Sequence, residues 1–181
     1  MQALLNTAIL AARKAGDFAQ INFGRINESD IRTKDYNEFV TFVDDQAEIL
    51  IKDIIQSRYP DHGIIAEESK PKKSGKSDYV WIIDPLDGTT NYIHSFPVYA
   101  VSIALEVKGL LEVAVIYDPS RQELFTAIRG AGSQLDGRRI RVSKQNTLEG
   151  ALLGTGFPYR QNNYSLDVYL EIFSEFSQKA A

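Results

Sequence analysis

Val80-Trp81-Ile82-Ile83-Asp84-Pro85-Leu86-Asp87-Gly88-Thr89-Thr90-Asn91-Tyr92-Ile93 is the stretch from which the rest of the chain can be read. Tyr79 to Ile83 is a β-branched and aromatic run, the composition of a buried strand, and it breaks off at an acid followed by proline. Pro85 has no N–H to give and Gly88 accepts backbone angles other residues avoid, so the chain turns here and crowds Asp84, Leu86 and Asp87 together. Thr89 and Thr90 read as the first residues of a short helix, with Asp87 as its N-cap.

Asp84 and Asp87 are hard oxygen ligands, the Leu86 carbonyl is a third, and oxygen donors on a short turn favour Mg²⁺ over zinc or copper. The N–H groups of Gly88, Thr89 and Thr90 stand free at the helix start, where unpaired donors and the helix dipole suit an anion. A metal and a phosphate would thus lie side by side. A bare D-x-x-D-G is equally well an ordinary strand-to-helix turn with a capping acid.

The longer run Asp84-Pro85-Leu86-Asp87-Gly88-Thr89-Thr90-Asn91 resembles the central signature of the inositol monophosphatase family, Mg²⁺-dependent and lithium-sensitive phosphomonoesterases. The resemblance extends to Val40-Thr41-Phe42-Val43-Asp44, Glu48, Ala66-Glu67-Glu68-Ser69, Phe96-Pro97, Val101-Ser102-Ile103-Ala104 and a loop, Gly154-Thr155-Gly156-Phe157-Pro158-Tyr159, found in bacterial members. It implies a sugar-phosphatase-like fold and hydrolysis of a small phosphate monoester, inositol-1-phosphate first, by a metal-activated water. Glu67, Asp84, Leu86 and Thr89 would surround one Mg²⁺, Asp84 and Asp87 would serve a second, and Asp44 a weaker third. Asp44, Glu67 and Thr89 would be catalytic, and Asp87, Gly88, Thr89 and Thr90 would hold the phosphate. Inhibition by Li⁺ or Ca²⁺ and a homodimer follow from the same resemblance. Fructose-1,6-bisphosphate, NADP or adenosine bisphosphate are alternative substrates within the chemistry. A non-catalytic role, binding a partner to assist transcription as some bacterial relatives do, is an alternative of another kind.

The chain has 181 residues, 44% of them hydrophobic, enough for a core, and no cysteine, which excludes disulfides and thiolate metal sites. A net charge of −4 gives no sequence-wide attraction to nucleic acid, so no direct nucleic-acid partner is expected. The start lacks a basic and apolar leader, and no apolar run approaches the ~20 residues of a membrane helix, so the expected location is cytoplasmic, without membrane contact.

Outward from the signature, Leu4, Leu5, Ala8, Ile9, Ala11, Ala12, Ala15 and Phe18 recur at helical spacing, predicting a long helix that ends near Phe23-Gly24. Ile26 to Val40 reads as a polar connection. By resemblance this connection overlies the active site and its Lys34 is a weak candidate, although a solvated lysine explains it equally well. Asp44 starts a second helix with Ala47, Leu50, Ile51, Ile54 and Arg58 on one face; Glu48 lies one turn on, and solvation is its simpler account. Tyr59-Pro60-Asp61-His62-Gly63 is a turn, with His62 a turn residue and not a ligand, and Ile64-Ile65-Ala66 a strand that delivers Glu67 and Glu68. Lys70 to Lys76 is a basic loop able to steer an anion. Val98–Val107, Leu110–Tyr117, Glu123–Ile128 and Arg138–Val142 form a meander, and Tyr164–Lys179 a last helix. The sum is an α/β layered sandwich (α+β), a largely antiparallel sheet flanked by helices, one domain over 1–181. By comparison with the family the chain is expected to stop inside the fold, its C-terminal half missing.

Overall fold

Helix α1 (Gln2–Asn22) has the predicted length, and its small residues explain how it packs: Ala8, Ala11, Ala12, Ala15 and Gly16 are buried and let it lie close on the sheet. The computed structural model describes residues 1–35, 38–69, 77–157 and 165–180. They form two compact units, Met1–Ile140 and Arg141–Ala181. No described helix is long and apolar enough to cross a membrane.

In the first unit, β1 (Ile31–Asp35) and β2 (Glu38–Thr41) form a two-stranded antiparallel ribbon, so part of the expected polar connection is strand. Asn37 lies outside the described residues. Helix α2 (Phe42–Arg58) follows β2 directly, capped by Thr41, whose hydroxyl accepts from the Val43 N–H at 3.1 Å. A seven-stranded sheet comes next: β3 (Gly63–Ala66), β4 (Tyr79–Asp87), β5 (Ala100–Val107), β6 (Leu110–Asp118), β7 (Glu123–Ile128), β8 (Gly132–Leu135) and β9 (Arg138–Arg139), adjacent in that order. β3 runs parallel to β4 with Ala66 opposite Ile83, and every later pair is antiparallel. The sheet is therefore largely antiparallel, as expected, with one parallel pair at the edge that carries the acids.

α1 and α2 bury Leu5, Ala12, Ile51 and Ile55 against Trp81, Ile103, Leu105, Val113 and Val115 on one face of the sheet. A smaller apolar cluster of Ala19, Val43, Leu86, Tyr92 and Tyr99 sits at the end of β4. There the Tyr92 hydroxyl donates to the Ala19 carbonyl at 2.7 Å and the Tyr99 hydroxyl to Gln20 Oε1 at 2.8 Å, tying the end of α1 to the turn after β4.

Several boundaries differ from expectation. β4 does not stop at Ile83: it runs to Asp87 through a bulge, because Asp84 faces Ser102 while Asp87 faces Ala100. Pro85 falls in the bulge, where its missing N–H costs no ladder bond. Asp87 thus stays in the strand, one residue before the cap of the short helix α3 (Thr89–Ile93); Gly88 is the cap, at φ +102°. The last strand covers only Arg138–Arg139, since β8 is four residues long and Ile140 donates its N–H to Ser133 near its end. The second unit holds α4 (Leu166–Ser177), shorter than predicted; Tyr164, Pro158, Tyr159 and the basic run 70–76 lie outside the described residues.

His62 shows how β3 and β4 are joined at their starts. Its ring stacks between Tyr59 and Tyr79 at 4.8 and 4.7 Å, and its Nδ1 accepts from the buried Trp81 Nε1–H at 3.0 Å. Burial lowers its pKa from the ordinary 6.5, opposed by the charge of Asp61. A depressed histidine stabilises the fold above the unfolded value and loses that contribution as pH falls through the folded one. The stability lost on His62→Phe should therefore be larger at pH 7.5 than at 5.5, on top of about 1–3 kcal/mol at both pH values for the orphaned indole N–H; urea midpoints of the two chains at both pH values test this, and a loss independent of pH would refute the assignment.

Candidate active site

Parallel pairing of β3 with β4 sets the site. The Glu67 N–H continues the ladder to the Ile83 carbonyl at 3.1 Å, so Glu67 and Asp84 leave neighbouring strands at the same level and in the same direction. Burial first, then the neighbouring Glu67 carboxyl and the charge of Asp87, push the Asp84 pKa up to about 8. The Leu86 N–H, donating to Asp84 Oδ1 at 3.1 Å, opposes that rise. Asp87 is exposed beside them.

Asp44 reaches the site from α2. It stands third in the helix and closes a capping box: Oδ2 accepts from the Thr41 N–H at 2.8 Å and the Thr41 hydroxyl at 2.7 Å. At 1% exposure its other oxygen, Oδ1, accepts from Thr89 Oγ1 at 2.9 Å. Burial raises its pKa against those hydrogen bonds. Capping and the expected site role are thus one arrangement, with one oxygen for each. The Thr89 hydroxyl also lies 3.0 Å from the Leu86 carbonyl, and its single proton must choose between the two acceptors.

Gly88 makes the turn possible. A Cβ there would fall 2.9 Å from the Val98 carbonyl oxygen and 3.2 Å from Tyr99 Cα, in a left-handed backbone conformation. Thr89 and Thr90 follow with first-turn N–H groups that have no intrahelical partner.

Two features exceeded what the sequence suggested. Lys34, on β1, is no free surface lysine: it pairs with the buried Glu68 and lies 3.9 Å from Glu67. Burial lowers its pKa, but Glu68 outweighs this and the net shift is upward. Glu48 is not solvated; it is 4% exposed, takes the Lys52 ammonium on Oε1 at 2.6 Å and accepts the Glu68 N–H on Oε2 at 2.8 Å. Burial would raise its pKa, yet Lys52, Ser69 and the Glu68 amide lower it on balance. The sequence signs were the place of Glu48 in the family resemblance and its position four residues before Lys52, a favourable helical spacing, and neither speaks of burial.

Among the described residues no three acidic or imidazole side chains form a ready-made cage. The fit to a divalent cation rests instead on the Glu67–Asp84 pair, which at neutral pH keeps a proton where a cation would serve better, and on the nearby Leu86 carbonyl. These donors are all hard oxygens, suited to Mg²⁺.

Fold and site together define a layered α/β protein with an acidic, oxygen-donor site at the ends of two parallel strands. The chain belongs to the inositol monophosphatase family, whose model matches residues 1–179. A relative from Pseudomonas aeruginosa, Nus factor SuhB, is 51% identical over 176 residues, covering 96% of this chain and 65% of that protein. The crystal structure of extragenic suppressor protein suhB from Bartonella henselae superposes with a TM-score of 0.93 at 35% identity, covering 99% of this chain and 68% of that one. An IMPase/NADP phosphatase solved with Mg²⁺ and phosphate gives a TM-score of 0.62 at 29% identity, over 67% of this chain and 47% of its own. The chain thus spans about two thirds of the length of the curated relatives it matches.

A carboxylate with a raised folded pKa costs stability that is absent below its unfolded value and grows until pH passes the folded one. For Asp84 the window runs from the ordinary 3.8 to about 8. Asp84→Asn should therefore raise the Tm of the metal-free chain by at least about 2–4 °C at pH 8, with a smaller gain at pH 5; thermal scans at both pH values test this, and equal gains would contradict it.

Proposed function

We propose that the chain carries the metal- and phosphate-binding part of a Mg²⁺-dependent phosphatase that hydrolyses a small phosphate monoester, inositol-1-phosphate before fructose-1,6-bisphosphate, NADP or adenosine bisphosphate. The observation that carries this reading is the juxtaposition of Glu67 and Asp84 at the ends of paired parallel strands, joined by hydrogen bonds from Asp84 to the Leu86 amide and from the Leu86 carbonyl through Thr89 to Asp44. Glu67, Asp84, Leu86, Asp87 and Asp44 would hold Mg²⁺. When bound, the ions supply charge neutralisation and a more acidic water.

The protein's own groups do the rest. With the Leu86 carbonyl otherwise engaged, the Thr89 proton goes to Asp44, and Thr89 Oγ1 becomes an acceptor able to orient a water. Asp44, buried and shifted upward, is suited to hold the proton that the water gives up. The Gly88, Thr89 and Thr90 amides and Asp87 define the phosphate position at the start of α3, and positioning supplies much of the rate. Two or three Mg²⁺ ions, inhibition by Li⁺ or Ca²⁺, a homodimer and a cytoplasmic location belong to the same proposal.

The name Nus factor carried by the 51% identical relative supports a second reading, in which the chain acts through a macromolecular partner in transcription. Phosphate release from inositol-1-phosphate separates the two. Under the first reading release requires Mg²⁺, is suppressed by Li⁺, and falls by about 10²-fold or more in Asp84→Asn and Thr89→Ala. Near-normal turnover of Asp84→Asn at saturating Mg²⁺ would defeat the assignment. Retention of a partner, protein or nucleic acid, by a turnover-dead Asp84→Asn chain would favour the second reading.

A further inference from the structure

Past Ala66 the chain leaves a strand whose one sheet neighbour among the described residues is β4, yet Glu67 must be held against Asp84. Among the described residues the ties are few. The Glu67 N–H reaches Ile83, the Glu68 N–H reaches Glu48 Oε2 at 2.8 Å, the Ser69 hydroxyl meets Lys52, and Lys34 pairs with the Glu68 carboxylate and lies 3.9 Å from Glu67. Lys52 also holds the other oxygen of Glu48 at 2.6 Å. The Glu48 carboxylate is therefore bidentate in effect: one oxygen is fixed by a neighbouring ammonium, and the other receives the backbone of the residue after Glu67. Its side chain is 5% exposed and Lys52 only 20%, so water competes little for either contact.

We infer that Glu48 is a positioning residue, its carboxylate clamped by Lys52 and gripping the Glu68 amide so that Glu67 is presented to Asp84 and to the cation they would share. The role is indirect: Glu48 touches neither the substrate nor the metal ligands' own oxygens. It rests on the metal-site reading above and adds to it an acidic side chain that acts through the backbone. A helical ion pair of ordinary kind would stabilise α2 and stop there, because exposed i,i+4 pairs contribute little and change no distant geometry. Here the pair is covered and its free oxygen is spent on the strand end.

The test uses calorimetric Mg²⁺ titration and amide hydrogen exchange on the chain. Glu48→Ala should weaken Mg²⁺ binding by about 10–100-fold, the range seen when groups behind metal ligands are removed, and should speed exchange at the Glu68 N–H. Glu48→Gln keeps an acceptor oxygen and should recover most of both. Ile55→Val, a core change in the same helix, should lower Tm and leave Mg²⁺ affinity unchanged. Fast Glu68 exchange with undiminished Mg²⁺ affinity in Glu48→Ala would overturn the positioning role, as would slow Glu68 exchange in that variant. If the native chain binds no Mg²⁺, the phosphatase reading fails with it, and the exchange data still decide whether Glu48 holds the strand end.

Discussion

Glu67 and Asp84 repel each other, and the fold forces them together. β3 and β4 run parallel in register, so residues that follow Ala66 and Ile83 must emerge side by side. The repulsion is relieved by a proton held on Asp84 up to about pH 8. A site with this property is poised for a cation, because the ion replaces a proton that the carboxylates retain only under strain of charge. Lys34 and Lys52 supply positive charge nearby, but each is committed to an acid behind the pair: Lys34 to Glu68 and Lys52 to Glu48.

Holding like charges in register needs a stiff support. Leu86, between the two aspartates, is buried with Val43, Tyr92 and Tyr99, and its own amide and carbonyl connect Asp84 to Thr89. The bulge at Pro85 is what lets an apolar anchor and two acids alternate within four residues. Without the extra residue, β4 would continue its simple alternation and Leu86 and Asp84 would share one face. Gly88 completes the turn where any side chain would strike residues 98 and 99.

How much of this was legible follows from the range of each interaction. The acids at strand ends, the Mg²⁺-type donor set and the helix after Gly88 are local in sequence and could be read directly. The long alanine-spaced helix and the meander followed from periodicity. The strand's continuation through Pro85 was not legible, because a bulge depends on the partner strand's register and not on the residues that form it. The ladder likewise runs on to Asp87, opposite Ala100, and the cap position falls to Gly88, directly before Thr89. Lys34 and Glu48 looked like surface charges because their partners, Glu68 and its amide, are 34 and 20 residues away. Only tertiary packing brings them close.

α2 carries the deepest consequence of that packing. Asp44 and Glu48 are one turn apart on its buried side, beside the Val43, Ala47, Ile51 and Ile55 row that fixes the helix to the core. Asp44 reaches Thr89, after β4, and Glu48 reaches Glu68, after β3. One helix therefore holds both strand ends, and the separation of Glu67 from Thr89 is set by a single rigid turn rather than by two independent loops. Buried acids are costly on a helix face. That both are retained on the packed side of α2, where apolar residues would stabilise the fold more, is what a helix serving as a ruler between two acidic strand ends requires.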